Sequence, residues 1–315
     1  MAMAPSDEVL VGWFGEHRAF LWGLSYRITG SAADADDVVQ ETFVRACQHG
    51  RTELTDPRRW LTHVAVNLGR DVLRRRKRRA YVGPWLPTPI ETSGHDARPV
   101  YEPAVDGRTL EGRYDLLESV SLAFLQALEA LSPTQRAVLL LRDVFDYSAA
   151  EVAAALDVSA GNVRIIHHRA RRAMATYERR RSVPTEARRA LTQKALERFI
   201  RLLGAGDVRG IERMLAADVK AVTDRGGEFA ASLRPILGRQ PVARFFARLA
   251  ASRRGRTNVA MRSINAFPTA LFDFESPRGR RAPRLVLSLD LDRRGQIMHV
   301  RVIASARKLA ALSPL

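Results

Sequence analysis

Between Ser159 and Arg181 the chain carries seven arginines and one acidic residue, Glu178. Spacing sorts that stretch into two faces. Val163, Ile166, Ala170 and Met174 recur at helical intervals and make an inward stripe, leaving Asn162, Arg164, His167, His168, Arg171 and Arg172 outside. Arginine and asparagine can grip base edges through paired hydrogen bonds while other cations neutralise phosphates, so the chemistry expected of this face is duplex recognition in a major groove. A solvated basic face would give the same charge run alone. What favours DNA is the context: Ser148 and Glu151 have the spacing of a capping box, and Val152 and Leu156 form a short amphipathic helix. Asp157-Val158-Ser159 then makes a tight turn with Ser159 capping the next helix, which is the helix-turn-helix pattern. His167 and His168 do not make a metal site, because adjacent helical positions point about 100° apart.

Two further constellations lie near the N-terminus. Asp34, Asp36, Asp37, Gln40 and Glu41 crowd acidic and polar groups into one helical segment of a very basic protein. The helix dipole explains one or two acids at a helix start, and a basic protein partner explains the rest. Asp56-Pro57 reads as an N-cap and first-turn pair, after which Trp60, Val64, Leu68 and Val72 form one stripe of a long helix. That helix ends in six consecutive cations, Arg74 to Arg79, a run that repels itself and calls for an anion.

The elements that must position these residues follow from composition and punctuation. The 315 residues exceed one ordinary core, and 46% hydrophobic with 27% charged residues is typical of folded protein. Lys and Arg number 51 against 34 Asp and Glu, a net charge of +17, which favours a polyanionic partner, nucleic acid before membrane surface. No apolar run suits a membrane span and no signal peptide is visible, so the cytoplasm is expected. Cys47 is the only cysteine and is expected to be core filler; no disulfide, cysteine zinc site or cofactor is called for.

Helices are expected up to about residue 80, with Phe20, Leu21, Leu24 and Ile28, then Val38, Val39 and Phe43, facing inward. Residues 81–113 lose periodicity and gain prolines, a linker whose Gly83-Pro84-Trp85-Leu86-Pro87 run is unusually apolar, either a tryptophan cover or a docking motif. A helical unit at 114–183 opens with the Ser132-Pro133-Thr134-Gln135 cap. Beyond Pro184 come two helices, extended segments at Lys220–Thr223 and Glu228–Ser232 around Gly226-Gly227, a helix near Pro241–Leu249, and strands at Asn258–Phe267, Arg284–Asp292 and Gln296–Ala304. The whole is a multidomain chain, two all-α units plus a C-terminal α+β domain at 187–309.

These motifs, in this order, resemble extracytoplasmic-function sigma factors of the sigma-70 family. The acidic segment 34–41 is similar to their polymerase-clamp-binding helix. Trp60, Asn67, Arg70, Asp71, Arg74 and Arg75 stand where the helix for the minus-10 element would be, and Ser148 to Arg172 resembles the region 4 reader of the minus-35 element, with Ser159 included. Trp85, Leu86 and Pro87 look like the linker motif of the subgroup carrying a SnoaL-like (NTF2-like) C-terminal domain. Asp224, Gly226, Gly227, Lys308 and Leu309 stand in that subgroup's regulatory segments. Two departures occur: Arg225 interrupts an Asp-Gly-Gly-Gly loop, and Ser305-Ala306-Arg307-Lys308-Leu309 replaces an Asn-Pro-Asp-Lys-Leu pattern. The resemblance implies core RNA polymerase (beta-prime clamp and beta flap), promoter DNA and an anti-sigma protein as partners, with regulation by the C-terminal domain. Two other readings fit parts of the chain: a one-component helix-turn-helix regulator with a ligand cavity, or a SnoaL-type enzyme fused to a DNA-binding module. For the enzyme, Asp224, Asp273, Asp290 and His299 are the candidates by type, and surface solvation or hairpin chemistry is the simpler expectation for all four.

Overall fold

The structure, a computed structural model, describes residues 7–48, 56–78, 81–93, 113–229, 232–252, 257–275 and 279–315. They fall into two compact units. One draws its described residues from 1–80, 99–120 and 124–179, the other from 81–98, 121–123 and 180–315.

The first unit is all helical: α1 (Asp7–Thr29), α2 (Ala32–Gln48), α3 (Pro57–Arg78), α4 (Leu116–Ser119), α5 (Leu122–Ala127), α6 (Pro133–Asp143), α7 (Ala149–Leu156), α8 (Ala160–Ala173) and α9 (Ala175–Arg180). Local chemistry sets the helix starts. Ser31 Oγ accepts from Asp34 N at the head of α2, and Asp56 accepts from Arg59 N at the head of α3. Reciprocal capping boxes start α6 (Ser132 with Gln135) and α7 (Ser148 with Glu151). Asp157, left-handed at φ 54°, ends α7, and Ser159 caps α8 two residues later, which fixes the tight turn between them.

Helices α1, α2 and α3 pack on one another, and α6 and α7 pack on α3. Burial on two sides reshapes the expected stripe of α3. Leu61, Val64, Ala65, Val66 and Leu73 are buried, whereas Trp60, Leu68 and Val72 are only half-buried. Cys47 is exposed rather than core filler, because in the last turn of α2 Ala46 takes the inward position and Cys47 the outer one.

Two buried arginines stitch this unit together through backbone carbonyls. Arg27 donates to Gly23 O, Leu116 O and Ser119 Oγ at 2.7–3.0 Å, and burial lowers its pKa to about 10, still protonated at neutral pH. Arg136 on α6 donates to Ile28 O at the end of α1 and to Leu128 O. The run of cations ending α3 finds its anions locally: Arg74 pairs with Asp71, and Arg76 reaches Thr29 O and the Glu129 carboxylate.

In the second unit α10 (Glu186–Ala205), α11 (Val208–Met214) and α12 (Arg239–Ala251) cover one face of a six-stranded sheet of order β2-β1-β6-β5-β4-β3. The strands are β1 (Leu215–Asp224), β2 (Ile236–Leu237), β3 (Thr257–Ile264), β4 (Phe267–Phe274), β5 (Arg284–Leu291) and β6 (Ile297–Ile303); α13 (Ala306–Leu309) follows. Among the described strands only β1 and β6 pair in parallel. Alternation on β5 divides the faces, with Leu285, Leu287, Leu289 and Leu291 under the helices and Val286 on the other side.

The expected strand at Asn258–Phe267 is in fact the first arm of a hairpin. Asn265 and Ala266 turn the chain with φ of 52° and 67°, and β4 returns beside β3. Alanine is a poor advertisement for a left-handed turn, which hid β4 from the pattern. Glu228–Ser232 is no strand over its described residues: 226–228 form a turn, and the partner of β1 is Ile236–Leu237 instead.

Gly69 lets α1 and α3 approach closely, since a Cβ there would lie 2.9 Å from Ile28 Cγ2. Gly69→Ala gains about 1 kcal/mol of helix propensity but overpacks the crossing by about 1–3 kcal/mol. A net stability loss of up to about 2 kcal/mol in urea denaturation is expected, relieved when Ile28→Val is added.

Candidate functional site

Three sets of residues were picked out by chemistry, and each has a distinct structural setting. On α2, Asp37 and Gln40 are exposed and Asp34 half-buried, while Val38, Val39 and Phe43 face the core. Asp36 accepts from Trp22 Nε1 at 2.8 Å, and Glu41 pairs with Arg45 at 2.8 Å. The helix thus presents carboxylates along its outer side, two of them oriented by neighbours.

On α3 the minus-10 candidates are tied into a relay. His63 Nδ1 donates to Ala155 O of α7 at 2.8 Å, since a carbonyl can only accept; in the neutral ring Nε2 then accepts from Asn67 Nδ2. Asn67 Oδ1 in turn accepts from Arg70, whose second nitrogen donates to Thr134 Oγ1. Burial, and after it the Arg74 charge, lowers the Arg70 pKa. Arg70 is therefore engaged by α6 and Asn67 is held between it and His63, whereas Arg74 and Arg75 lie exposed beyond them. Trp60 is half-buried at the start of α3, and the loop before Asp56 lies outside the described residues.

On α8, Val163, Ala170 and Met174 are buried and Asn162, Arg164, His168, Arg171 and Arg172 exposed, as the spacing predicts. His167 departs from that pattern. Its Nε2 lies 2.7 Å from Asp143 Oδ1 on α6 and its side chain is only 19% exposed, so it braces the helix instead of facing outward. An open cleft of about 820 Å³ runs along this side of α8, lined by Arg164, His168, Arg171 and Arg172 together with Arg113, Arg142 and Arg179 from outside the helix. Spacing could not reveal the last three, because they reach the cleft from other elements. Arg113 is aligned by the Glu178 carboxylate, which also accepts from Tyr114. Such a concave, strongly cationic wall beside an exposed helix suits a phosphate backbone.

In the second unit the apolar run of the linker is an ordered part of the fold. Leu86 and Pro87 are buried, and Leu86 joins Val222, Leu271, Val286, Ile303 and Leu309 on the sheet face opposite the helices. Residues 90–92 pair with the end of edge strand β3 and its turn, through Thr92 N to Ser263 O and Asn265 N to Ile90 O.

Asp224 anchors the whole arrangement. Fully buried, it accepts from Tyr81 Oη (2.6 Å), Leu86 N (2.7 Å), Gly226 N (3.1 Å) and Lys308 Nζ (2.6 Å). Lys308 also donates to Leu86 O, and its ammonium sits over the rings of Trp85 (4.5 Å) and Tyr81 (5.0 Å). Burial first, and the bond to Asp224 second, push the Tyr81 phenol far above its ordinary pKa, so it remains a donor. Both departures from the family pattern leave this arrangement intact. Gly226 and Gly227 hold the positive φ values of the turn, and Arg225 is not among the residues with positive φ. Ser305 donates to Glu228 as α13 begins, setting Lys308 inward.

The other enzyme-type candidates are engaged as well. Asp273 is paired with Arg284 through two bonds of 2.6 and 2.7 Å, which lowers its pKa. Asp290 lies 2.6 Å from Arg301 and 3.5 Å from His299. The expectation of surface solvation fails for Asp224 and Asp290: the linker, the turn after β1 and α13 supply the partners of Asp224, and neighbouring strand β6 supplies those of Asp290. Among the described residues no cluster suits a metal ion and no helix is long and apolar enough to cross a membrane.

Comparison with known proteins bears on the helical unit first. The sigma-70 region 2 family matches residues 13–79 and the sigma-70 region 4 family residues 121–174. Over 237 residues, 75% of this chain and 71% of the relative, the sequence is 33% identical to ECF RNA polymerase sigma factor SigJ of Mycobacterium tuberculosis (strain ATCC 25618 / H37Rv). The chain belongs to the extracytoplasmic-function RNA polymerase sigma factors. SigG of the same strain is 35% identical over 68% of this sigma factor and 62% of its own length. The crystal structure of M. tuberculosis SigJ aligns with a TM-score of 0.69 at 28% identity, covering 97% of this sigma factor and 99% of that chain. The likeness therefore includes the α+β unit, whose helix-then-sheet order is that expected of a SnoaL-like domain. The sigma factor directs transcription initiation, with core RNA polymerase and promoter DNA as its partners.

Asp224→Ala would leave the Lys308 ammonium buried without its carboxylate, an expected loss of about 3–5 kcal/mol. Denaturation monitored at Trp85 should report it. Adding Lys308→Met should restore most of the loss; no recovery would mean that the pair is not the seat of the effect.

Proposed function

We propose that the division of labour follows the three sites. The outer carboxylates of α2, with Asp37 foremost, dock on the beta-prime clamp, α3 from Trp60 to Arg75 engages the minus-10 DNA, and α8 enters the major groove of the minus-35 duplex while the beta flap holds region 4. On this reading residues 1–80 act as region 2, 114–183 as region 4 and 187–309 as a built-in regulator joined by the 81–113 linker. The factor works in the cytoplasm, contributes no catalysis of its own, and its α2 face is the surface an anti-sigma protein would cover.

The observation that carries this reading is the engagement of Arg70 by α6 and of His63 by α7, with Asn67 held between the two. Elements centred 25 base pairs apart are separated by about 85 Å at 3.4 Å per pair. A region 4 packed on α3 cannot serve both, so the arrangement described is a resting state that opens when polymerase and promoter are bound. The contacts holding it closed combine hydrogen bonds to carbonyls and hydroxyls, groups that water can satisfy once the surfaces part, with the packing of Phe20 against Phe145 and Tyr147. The linker clamped by Asp224 and Lys308 gives the C-terminal domain a grip on the segment joining the two regions, which supports a regulatory role over an enzymatic one.

Purified protein mixed with sigma-free core polymerase should initiate at a specific subset of a promoter library; failure to bind polymerase would favour a one-component regulator. Asp37→Lys should weaken holoenzyme formation at least ten-fold, and an unaltered affinity would remove α2 from the interface. Deleting residues 185–315 should change transcription several-fold, with Asp224→Asn shifting it in the same direction; output unchanged in both would end the regulatory assignment.

A further inference from the structure

The cations of α8 explain affinity for DNA, but its most outward line is not cationic throughout. Gly161, Ile165, His168 and Arg172, at intervals of four, three and four residues, lie opposite the buried Val163, Ala170 and Met174. Ile165 is 53% exposed at the middle of this line, with Asn162 one turn before it and Arg169 one turn after. An isoleucine held in water on so polar a helix gains nothing from folding.

Gly161 poses the same question. It sits in the first turn of α8 without a positive φ, and a Cβ there would meet only Ser159 Oγ at 3.9 Å, an ordinary contact. The fold gives no reason for a glycine, which costs helix stability relative to alanine. A residue without a side chain one turn before an exposed isoleucine makes a shallow step on the helix surface, where a flat partner can come close to the backbone.

We propose that Gly161 and Ile165 form the base-reading centre of α8, with the Ile165 side chain against the 5-methyl group of a thymine in the minus-35 element. Thymine is the one base that presents a methyl group in the major groove, and an apolar side chain is what recognises it. Asn162 and Arg169 flank the contact as hydrogen-bonding readers. Arg164, Arg171 and Arg172 lie along the cleft with Arg113, Arg142 and Arg179 and hold phosphates. The proposal rests on the reading of α8 as the minus-35 helix and adds the chemistry it reads.

The test uses holoenzyme and a promoter duplex selected from a library randomised over the minus-35 element, in which each thymine is then replaced by uracil, removing the methyl group alone. One replacement should weaken binding by wild type about four-fold, the transfer free energy of one methyl group. Ile165→Ala should bind the thymine duplex about as weakly as wild type binds the uracil one, and should no longer distinguish the two. Gly161→Ala should melt no lower than wild type yet bind the promoter more weakly.

Sensitivity to uracil that persists in Ile165→Ala would overturn the contact, as would a selected element without thymine. A loss in Ile165→Ala that is equal on all duplexes, scrambled ones included, would assign Ile165 to the polymerase or the backbone and overturn it too. Undiminished promoter binding by Gly161→Ala would refute the close approach. Holoenzyme that selects no minus-35 sequence at all would instead defeat the underlying reading of α8.

Discussion

A carboxylate with no access to water needs every lone pair answered, and Asp224 is answered by a phenol, two backbone amides and an ammonium. Those four donors come from the linker, from the turn after β1 and from the helix that follows β6, so the ion pair can form only when three distant stretches of chain are in place. Such pairs are weak contributors to net stability, because desolvation offsets most of the attraction, but they penalise alternatives in which one partner is left alone. Here the penalty specifies the path of the linker. Leu86 then fills the sheet face beside Ile303 and Leu309, and residues 90–92 cover the edge of β3.

The helical unit uses buried charge differently. Arg27 and Arg136 spend most of their donors on backbone carbonyl oxygens, among them Ile28 O at the end of α1. These guanidinium bonds join region 2 to region 4 beside the aromatic contact of Phe20 with Phe145 and Tyr147. Polar bonds of this kind are specific when closed and can be exchanged for bonds to water on opening. That property fits a factor whose two DNA-binding regions must serve elements far apart on the promoter.

On α8 the same logic separates affinity from specificity. The cations beside the cleft act through charge and are indifferent to sequence, while the outermost line of the helix carries the few groups whose shape or polarity could distinguish bases. His167, for all its polar character, belongs to neither class, since Asp143 holds it against α6.

Much was legible in the sequence because it depends on short-range chemistry. The caps at Asp56, Ser132, Ser148 and Ser159, the turn at Asp157, and the inward stripe Val163, Ala170, Met174 are encoded within a few residues of where they act. The order of acidic helix, basic helix, proline-rich segment and helix-turn-helix was enough to indicate the family. What escaped was set by partners far along the chain. Packing of neighbouring helices on α3 decided that Arg70 and His63 would be engaged, with Asn67 between them, and that Leu61 and Ala65 would be buried. Strand β4 was hidden behind a turn made by Asn265 and Ala266, whose left-handed backbone is sustained by its surroundings: Asn265 N and Oδ1 bond to Ile90, and Ala266 N bonds to Thr92 Oγ1. The role of Asp224 could not be read from its neighbours at all, because Tyr81, Leu86 and Lys308 lie 143, 138 and 84 residues away. Local spacing determined which helices form and what their outer faces offer; only the tertiary structure decided which polar groups would lose water, since burial depends on everything that packs against a residue.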